Sequence, residues 1–366
     1  MKVVSRMQLA PSRPSLAEQT AAILREAIGR GVWTGRLPGE RELSRQLNIS
    51  RPTLSLALTQ LTSEGWLQKA PGRARRIVHS GQAHSGAHST VVGLLSPVPL
   101  REVPPFALCW MDRLRELLAA AGLQLEIHSG RRWYARQPEK ELASLVKQVP
   151  AAAWILFVAT ERMQRWAAQS GLRGILAGTC YPGVTLSSVD FDYRAVCRHA
   201  AGQFLARGHR QIALLMPASG MAGDQESEAG FREAFQKRSS AGAVPIVSVH
   251  DGTPTAIRRQ LDLLLKQVPR PTAFLVARSM PALTVASELT RRGLRIPQDV
   301  ALIARDSDHF LEYFSPELAR YQADPEVHAR RLSRLVIQLA QGIAPRVQNL
   351  RIMPKFQPGG SLGSRG

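Results

Sequence analysis

Pro38-Gly39-Glu40-Arg41-Glu42-Leu43-Ser44-Arg45-Gln46-Leu47-Asn48-Ile49-Ser50-Arg51-Pro52-Thr53-Leu54-Ser55-Leu56-Ala57-Leu58-Thr59-Gln60-Leu61-Thr62-Ser63-Glu64-Gly65-Trp66 is the stretch whose reading decides the fold of the first part of this chain. Leu43 and Leu47 lie one helical turn apart, and Leu54, Ala57, Leu58 and Leu61 repeat at the same period, so two short helices are expected. Asn48-Ile49-Ser50 joins them as a tight turn. Ser50 is placed to cap the second helix, with Pro52 in its first turn, and Pro38 is expected to start the earlier one, where a missing N–H costs nothing. A helix-turn-helix presents its second helix to the major groove of DNA. Arg51, Thr53 and Ser55 then project near the start of that reading helix, where short polar and basic groups reach phosphates or base edges.

Working outward, Ser15-Leu16-Ala17-Glu18 is a capping box at the start of a preceding helix. Leu16, Ile23, Leu24, Ala27 and Ile28 give that helix an apolar face, and Gly29 and Gly31 end it. On the other side, Trp66–Lys69 and Arg75–Val78 read as two strands around Ala70-Pro71-Gly72-Arg73-Ala74. Such a wing offers Arg73, Arg75 and Arg76 to phosphate or the minor groove, a solvated basic hairpin being the alternative. The charge agrees. The chain of 366 residues carries a net +20, and residues 1–80 hold 13 basic and 5 acidic side chains, so +8 of that surplus lies in about a fifth of the length. A surplus of this size points to a polyanion, nucleic acid first.

Beyond this unit the pattern changes. Residues 1–14 read as a flexible arm, 15–78 as the DNA-binding unit, 79–90 as a Gly/Ser/His-rich linker, 91–356 as a larger body and 357–366 as a disordered tail. His79, His84 and His88 lack an accompanying carboxylate or thiol, so no metal site is expected. In the body, apolar strand-like runs (Val91–Leu95, Leu123–Ile127, Ala153–Ala159, Gly174–Ala177, Ile212–Met216, Pro245–Val249, Ala273–Ala277, Val300–Ala304) alternate with helix-length segments such as Met111–Ala121, Tyr193–Arg207 and Met280–Arg292. Alternation of this kind implies an α/β fold with parallel sheets covered by helices on both faces, and the length suits two similar halves. Cys109, Cys180 and Cys197 show no paired spacing and read as buried thiols in a reducing compartment. Met1-Lys2-Val3-Val4-Ser5-Arg6 lacks a secretory core, and the longest apolar run, Ala151 to Ala159, is of strand length, so a cytoplasmic protein without a membrane anchor is expected.

Residues 15–78 resemble the winged helix of the GntR family. Leu37-Pro38-Gly39-Glu40-Arg41-Glu42-Leu43 is similar to its "LPSERELA", Ile49-Ser50-Arg51-Pro52-Thr53 to "VSRxTV", Ala57-Leu58-Thr59-Gln60-Leu61 to "ALxxL", and Glu64-Gly65-Trp66-Leu67 to "EGLL". The resemblance implies DNA contacts from Arg41, Arg51 and the wing, and a departure at Ser55, where the family often has arginine, bears on the operator. The candidate DNA contacts are therefore Arg41, Ser50, Arg51, Thr53, Ser55, Arg73, Arg75 and Arg76. Residues 91–356 resemble the LacI/GalR regulatory domain, itself similar to periplasmic sugar-binding proteins. The matches are Val189-Asp190-Phe191-Asp192 through Gly208-His209-Arg210-Gln211-Ile212-Ala213 and Gly293-Leu294-Arg295-Ile296-Pro297-Gln298-Asp299-Val300. Joined to a GntR-type head, this is the architecture of the arabinose repressors. It implies a two-lobed, dimerising body that binds an effector between its lobes and no cofactor.

The family's ligand-reading residues match least well. Its arginine before the "GF" of Gly230-Phe231 falls near Ser227, its "ND" pair at Arg278-Ser279, and its "GxDD" at Ala304-Arg305-Asp306-Ser307. The candidate ligand residues are thus Ser96, Ser227, Arg278, Ser279, Arg305 and Asp306. Exchanging acceptors for Arg278 and Arg305 implies an anionic ligand, such as a sugar phosphate or sugar acid, unless these arginines pair with Asp306 and Asp308. Gly-x-Gly-x-x-Gly, Walker A and Gly-x-Ser-x-Gly patterns are absent, and His209 reads as a structural residue of a helix-to-strand turn, so no enzyme is expected. The reading is a DNA-binding transcription regulator, a repressor, that acts as a homodimer on a pseudo-palindromic operator under control of a small-molecule effector. A ligand-independent dimerisation scaffold, or a sugar-binding enzyme-like body, is the alternative.

Overall fold

The computed structural model describes residues 15–29, 32–33, 35–63, 66–69, 75–77, 89–236, 242–306, 308–343 and 347–363. The chain divides into two compact units, residues 1–87 and 88–366. In the first, α1 (Leu16–Gly29), α2 (Glu40–Gln46) and α3 (Arg51–Ser63) precede the antiparallel strands β1 (Leu67–Lys69) and β2 (Arg75–Ile77). The capping box forms as the sequence implies: the Ser15 N–H donates to Glu18 Oε2 at 2.7 Å, and the Glu18 N–H to Ser15 Oγ at 3.2 Å. Leu24, Leu43, Leu54, Leu58 and Leu61 meet in the core of this unit with Leu67 and Ile77 of the wing. Pro38 does not start α2. The helix begins at Glu40 behind Gly39, because residues 35–37 are held against β2: the Leu37 N–H donates to the Arg75 carbonyl at 3.0 Å, and the Ile77 N–H to that of Gly35 at 3.1 Å.

The second unit contains two lobes. The first begins with β3 (Val91–Ser96), α4 (Pro105–Ala120), β4 (Gln124–Ser129), α5 (Glu139–Gln148), β5 (Ala153–Phe157), α6 (Glu161–Gln169), β6 (Gly174–Ala177) and β7 (Ser187–Phe191). The chain then builds the second with α7 (Tyr193–Ala206), β8 (Gln211–Pro217), α8 (Ala222–Gln236), β9 (Val244–His250), α9 (Pro254–Leu265), β10 (Ala273–Val276), α10 (Ser279–Arg291), β11 (Ala301–Ala304) and β12 (Ala319–Gln322). It returns to the first lobe with α11 (Pro325–Ala340) and β13 (Asn349–Ile352), and ends in the second with β14 (Lys355–Gln357). The sheets run β13-β7-β6-β5-β3-β4 and β14-β12-β11-β10-β8-β9. Every neighbouring pair is parallel except β12 with β14.

Each sheet is covered on both faces, which is why its central strands are almost wholly apolar. In the first lobe α4 and α11 pack on one face, α5 and α6 on the other. In the second, α7 and α8 oppose α9 and α10. The α7–α8 crossing requires Gly230, since a Cβ there would lie 2.0 Å from the Arg194 carbonyl oxygen. Three expectations need correction. Ser89 and Thr90 belong to the body, the Thr90 carbonyl accepting from the Gln124 N–H at 2.7 Å. Residues 358–363 are not a disordered tail: Ser361 is 0% exposed and its hydroxyl lies 2.7 Å from the Leu302 carbonyl and 2.8 Å from the Ala319 N–H, sealing the end of the second sheet. Cys109 is exposed on α4 rather than buried. His79, His84 and His88, with residues 1–14, lie outside the described residues.

Candidate functional site

The first unit presents its basic residues around α3. Ser50 caps that helix, its hydroxyl accepting from the Thr53 N–H at 3.3 Å and lying 2.7 Å from Thr53 Oγ1. The turn before it is closed by Asn48 in the left-handed region, φ 51°, a conformation asparagine tolerates better than most residues. Arg51 stands exposed at the first position of α3, and Arg41 exposed on α2, while Thr53 and Ser55 are half-buried. Of the three wing arginines expected to touch DNA, Arg73 lies outside the described residues. Arg76 is exposed. Arg75 turns inward, with 14% of its side chain exposed. Its guanidinium donates to the Leu58 carbonyl at 3.1 Å and Thr62 Oγ1 at 2.9 Å, and pairs with Glu40 at 3.4 Å. Arg75 therefore ties the wing to α2 and α3 and is not free for phosphate. A residue the sequence did not single out lies beside the wing: exposed Arg36 bridges antiparallel to Arg76. Residues directly opposite in such a pair point to one face, where like charges repel, so a polyanion on that face would relieve them.

In the second unit, a cavity of about 660 Å³ lies between the lobes, within the size range of small-molecule sites. Phe106, Trp110 and Phe157 of the first lobe and Tyr321 of the second are among its apolar walls. Its polar end is a compact charged cluster. Arg305, 1% exposed, follows β11. Its Nη1 donates to Asp224 Oδ1 and to Ser227 Oγ, both at 2.8 Å. Its Nε and Nη2 donate to Asp306 Oδ2 at 3.1 and 2.8 Å, and the guanidinium stacks 4.4 Å from the Tyr193 ring centroid. Burial works to strip the proton from Arg305, but Asp306 and Asp224 outweigh it and raise its pKa well above the usual arginine range. Arg278, more exposed, donates from Nη2 to Asp224 Oδ2 at 3.1 Å and from its backbone N–H to Asp306 Oδ2 at 2.7 Å. It holds this place with φ 71°, a conformation uncommon for a residue with a long side chain. The Ser219 hydroxyl also donates to Asp224 Oδ2, at 2.5 Å.

Asp190, at the end of β7, completes this end of the cavity. Burial pushes its carboxyl up to about 6, against the opposing effect of the Thr179 hydroxyl donating at 2.6 Å and the Phe191 N–H at 2.8 Å. Two arginines thus face two aspartates that they contact directly, with Asp190 beside them. The cluster carries no surplus of positive charge. The alternative in which these arginines pair with Asp306 is the one observed, with Asp224 in place of Asp308: their charge is matched where they stand.

Of the candidate ligand residues, Arg278, Ser279, Arg305 and Asp306 line the cavity together. Ser96 and Ser227 do not. The Ser96 hydroxyl donates to the Val98 carbonyl at 2.7 Å and closes its own loop. Ser227 sits fully buried behind the wall, donating to the Gly223 carbonyl and receiving Arg305. Where the resemblance implies an arginine on α8, a guanidinium is in fact present, delivered from the end of β11. Asp224 was missed by sequence reasoning. It lies one turn before Ser227 on α8, and its two arginine partners are 54 and 81 residues away, so only the fold reveals its role. Asp308 pairs with neither arginine but accepts from the Phe106 N–H at 3.0 Å. His209 is buried beside Thr272, its Nδ1 2.9 Å from Oγ1, as a structural residue would be.

Two family models match separate parts of the chain. Residues 16–77 match the gntR family of bacterial regulatory proteins, and residues 201–362 match the periplasmic binding protein-like domain. The HTH-type transcriptional regulator GntR of Pseudomonas aeruginosa is 27% identical over 84% of this chain and 91% of its own length. The HTH-type transcriptional regulator CelR of Thermobifida fusca is 27% identical over 44% of this chain, and the HTH-type transcriptional repressor PurR of Vibrio atlanticus 31% identical over 32%. The chain spans 47% and 36% of those two relatives. Among solved structures, a CelR–cellobiose complex superposes with a TM-score of 0.66 at 20% identity, covering 95% of this chain and all of that one. A LacI regulator from Bacillus cereus subsp. cytotoxis superposes with a TM-score of 0.68 at 17% identity, over 76% of this chain and all of its own. Among the described residues no helix is long and apolar enough to cross a membrane.

Proposed function

We propose that this transcription regulator, a GntR-family DNA-binding domain joined to a periplasmic binding protein-like domain, is a repressor controlled by a neutral, hydroxyl-rich small molecule, a sugar, bound between the lobes of its body. The observation that carries the reading is the charge-balanced cluster of Arg278, Arg305, Asp224 and Asp306 in a cavity that also has aromatic and apolar walls. Hydroxyl groups need donors and acceptors side by side, which this cluster supplies. Aromatic walls such as Trp110 and Phe157 offer apolar area to the C–H face of a sugar ring. An anion would gain little from arginines already paired and would meet Asp190 and Asp306. The cellobiose bound to the CelR structure supports the same class of ligand.

We place the protein in the cytoplasm, as a homodimer without catalytic activity, on a pseudo-palindromic double-stranded operator. One reading helix per chain suits a two-fold dimer on two half-sites. The ligand acts by binding one arrangement of the body better than another. The test is thermal unfolding of the full chain against neutral sugars, sugar phosphates and sugar acids. A ligand at 100 times its dissociation constant adds about 2.7 kcal/mol if it binds only the folded state. Stabilisation by neutral sugars alone supports the proposal, and stabilisation by anions alone overturns it. No response from any neutral sugar leaves a ligand-independent scaffold as the better reading.

A further inference from the structure

Helix α4 starts at the rim of the cavity with Pro104-Pro105-Phe106, and its own lobe supplies no side chain to cap it. Pro105 has no N–H, and the Ala107 and Leu108 N–H groups turn back to the Pro104 carbonyl at 2.9 and 3.1 Å. The Phe106 N–H is met by Asp308 Oδ1 from the second lobe, at 3.0 Å and 202 residues along the chain. Asp308 is 8% exposed. A carboxylate accepting from the first free N–H of a helix is what an N-cap provides, and the helix dipole favours its charge there. Here that cap is donated across the cleft.

The same short segment after β11 carries Arg305 and Asp306, which form the polar end of the cavity, and Asp308, which caps α4. We infer that Asp308 is an interlobe latch: it holds the lobes closed by capping α4 and couples that closure to the residues that face the ligand. Other contacts also cross the cleft, from the Tyr181 hydroxyl to the Gly220 carbonyl at 2.8 Å and from Arg351 to Glu226 at 3.1 Å, but neither involves Arg305, Asp306 or Asp308. A ligand touching both lobes adds to the latched state, and one excluded by the closed cavity opposes it. The latch goes beyond the sugar reading and does not require it.

The test uses the full chain with no small molecule added, so its failure leaves the sugar proposal standing. Amide hydrogen exchange reports the first turn of α4, and small-angle scattering reports the separation of the lobes. Asp308→Ala should speed exchange at residues 106–108 by roughly 2- to 30-fold, the range expected for loss of a cap, and should enlarge the radius of gyration. Asp308→Asn, which keeps an acceptor oxygen without the charge, should fall between. The deciding variant is Pro104→Ser combined with Asp308→Ala. Pro104 has φ −55° and ψ 145°, so a serine there can cap α4 from within its own lobe. Slow exchange should then return while the lobes stay apart. Recovery of both would make Asp308 an ordinary cap and overturn the latch, as would wild-type exchange and scattering in Asp308→Ala. Should Asp308→Ala fail to fold, Asp308→Asn alone and with Pro104→Ser gives the same decision.

Discussion

In the DNA-binding unit Arg41, Arg51 and Arg76 stand exposed and make no ion pair among the described residues, whereas in the body the Arg305 side chain has no exposed surface and is bonded through each of its nitrogens. The residue type is the same, and its surroundings decide what it can recognise. An exposed guanidinium keeps its charge available, so it suits phosphate, where the gain comes from releasing condensed ions and fades with salt. A buried one must be neutralised where it stands. What it then offers a cavity is a fixed set of donors and acceptors with little net field. Arg75 shows that the boundary does not follow the domains: it belongs to the basic wing by sequence and to the buried class by contact.

The contrast is broken most forcibly at Arg305. Arg305→Met breaks a buried ion pair and leaves Asp224 with Arg278 and Ser219 as its remaining partners, a change of the kind that costs about 3–5 kcal/mol. Chemical denaturation of the full chain should show that loss in the body's transition. Arg278→Ala, at a more exposed position, should change stability far less yet abolish ligand stabilisation. Equal losses for both would mean that their burial does not separate their roles. Next in size is Arg75→Ala. Removing hydrogen bonds from a charged group to the Leu58 carbonyl and Thr62 should cost about 1.5–3 kcal/mol in the unfolding of the DNA-binding unit. A fully stable variant with weakened DNA binding would return Arg75 to the DNA-contacting class.

Acid stability sharpens the comparison inside the body, where burial acts on two groups with opposite sign. His328 on α11 is 4% exposed, lies 5.1 Å from the Trp110 ring and 5.6 Å from Phe191, and has no hydrogen-bond partner at either ring nitrogen. Burial lowers its pKa from 6.5 to about 4. The unfolded chain therefore takes up this proton first, and stability is full above pH 6.5 and lost as pH falls toward 4, by about 3 kcal/mol at most. Asp190 is raised from 3.8 to about 6, so the folded chain binds its proton more readily, and its contribution falls as pH rises through that window. His328→Phe should flatten the acid limb of a stability–pH profile, and Asp190→Asn should steepen it. Identical profiles for the two variants would show that neither group titrates in this way.

How much of this was legible depended on how far apart the partners are in sequence. The caps of α1 and α3 are local, Ser15 with Glu18 and Ser50 with Thr53, and could be read directly. So could the central strands, which are apolar runs because both faces are covered. Strand β7 was not recognised, since Ser187 and Ser188 do not look like core residues. They are buried because they bond across to the returning segment at Gln348 and Asn349. The 358–363 segment was misread for the same reason: its composition is that of a loose tail, but Ser361 finds two backbone partners in the second sheet. At the ligand site, Arg278, Arg305 and Asp306 could be found from the family resemblance, but their pairing could not. The cluster is neutral only because α8 brings Asp224 to them.

The smallest effect separates the exposed arginines from one another. Arg51 and Arg76 are read as phosphate or base-edge contacts, so Arg51→Ala and Arg76→Ala should each weaken operator binding by roughly tenfold and lower the slope of log affinity against log salt by about 1 if they meet phosphate. A residue that reads a base edge behaves differently: its loss relaxes discrimination between sequences and leaves the slope nearly unchanged. Binding measured at three salt concentrations, on the operator and on unrelated duplex, distinguishes the two. Arg36→Ala adds an internal control. If Arg36 and Arg76 face one polyanion, removing either should weaken binding, and removing one should ease the repulsion felt by the other in the free protein, so the double variant should lose less than the two single losses together. Strict additivity would place the two arginines on separate phosphates without mutual strain, and unchanged binding in all three variants would take this edge of the wing off the DNA.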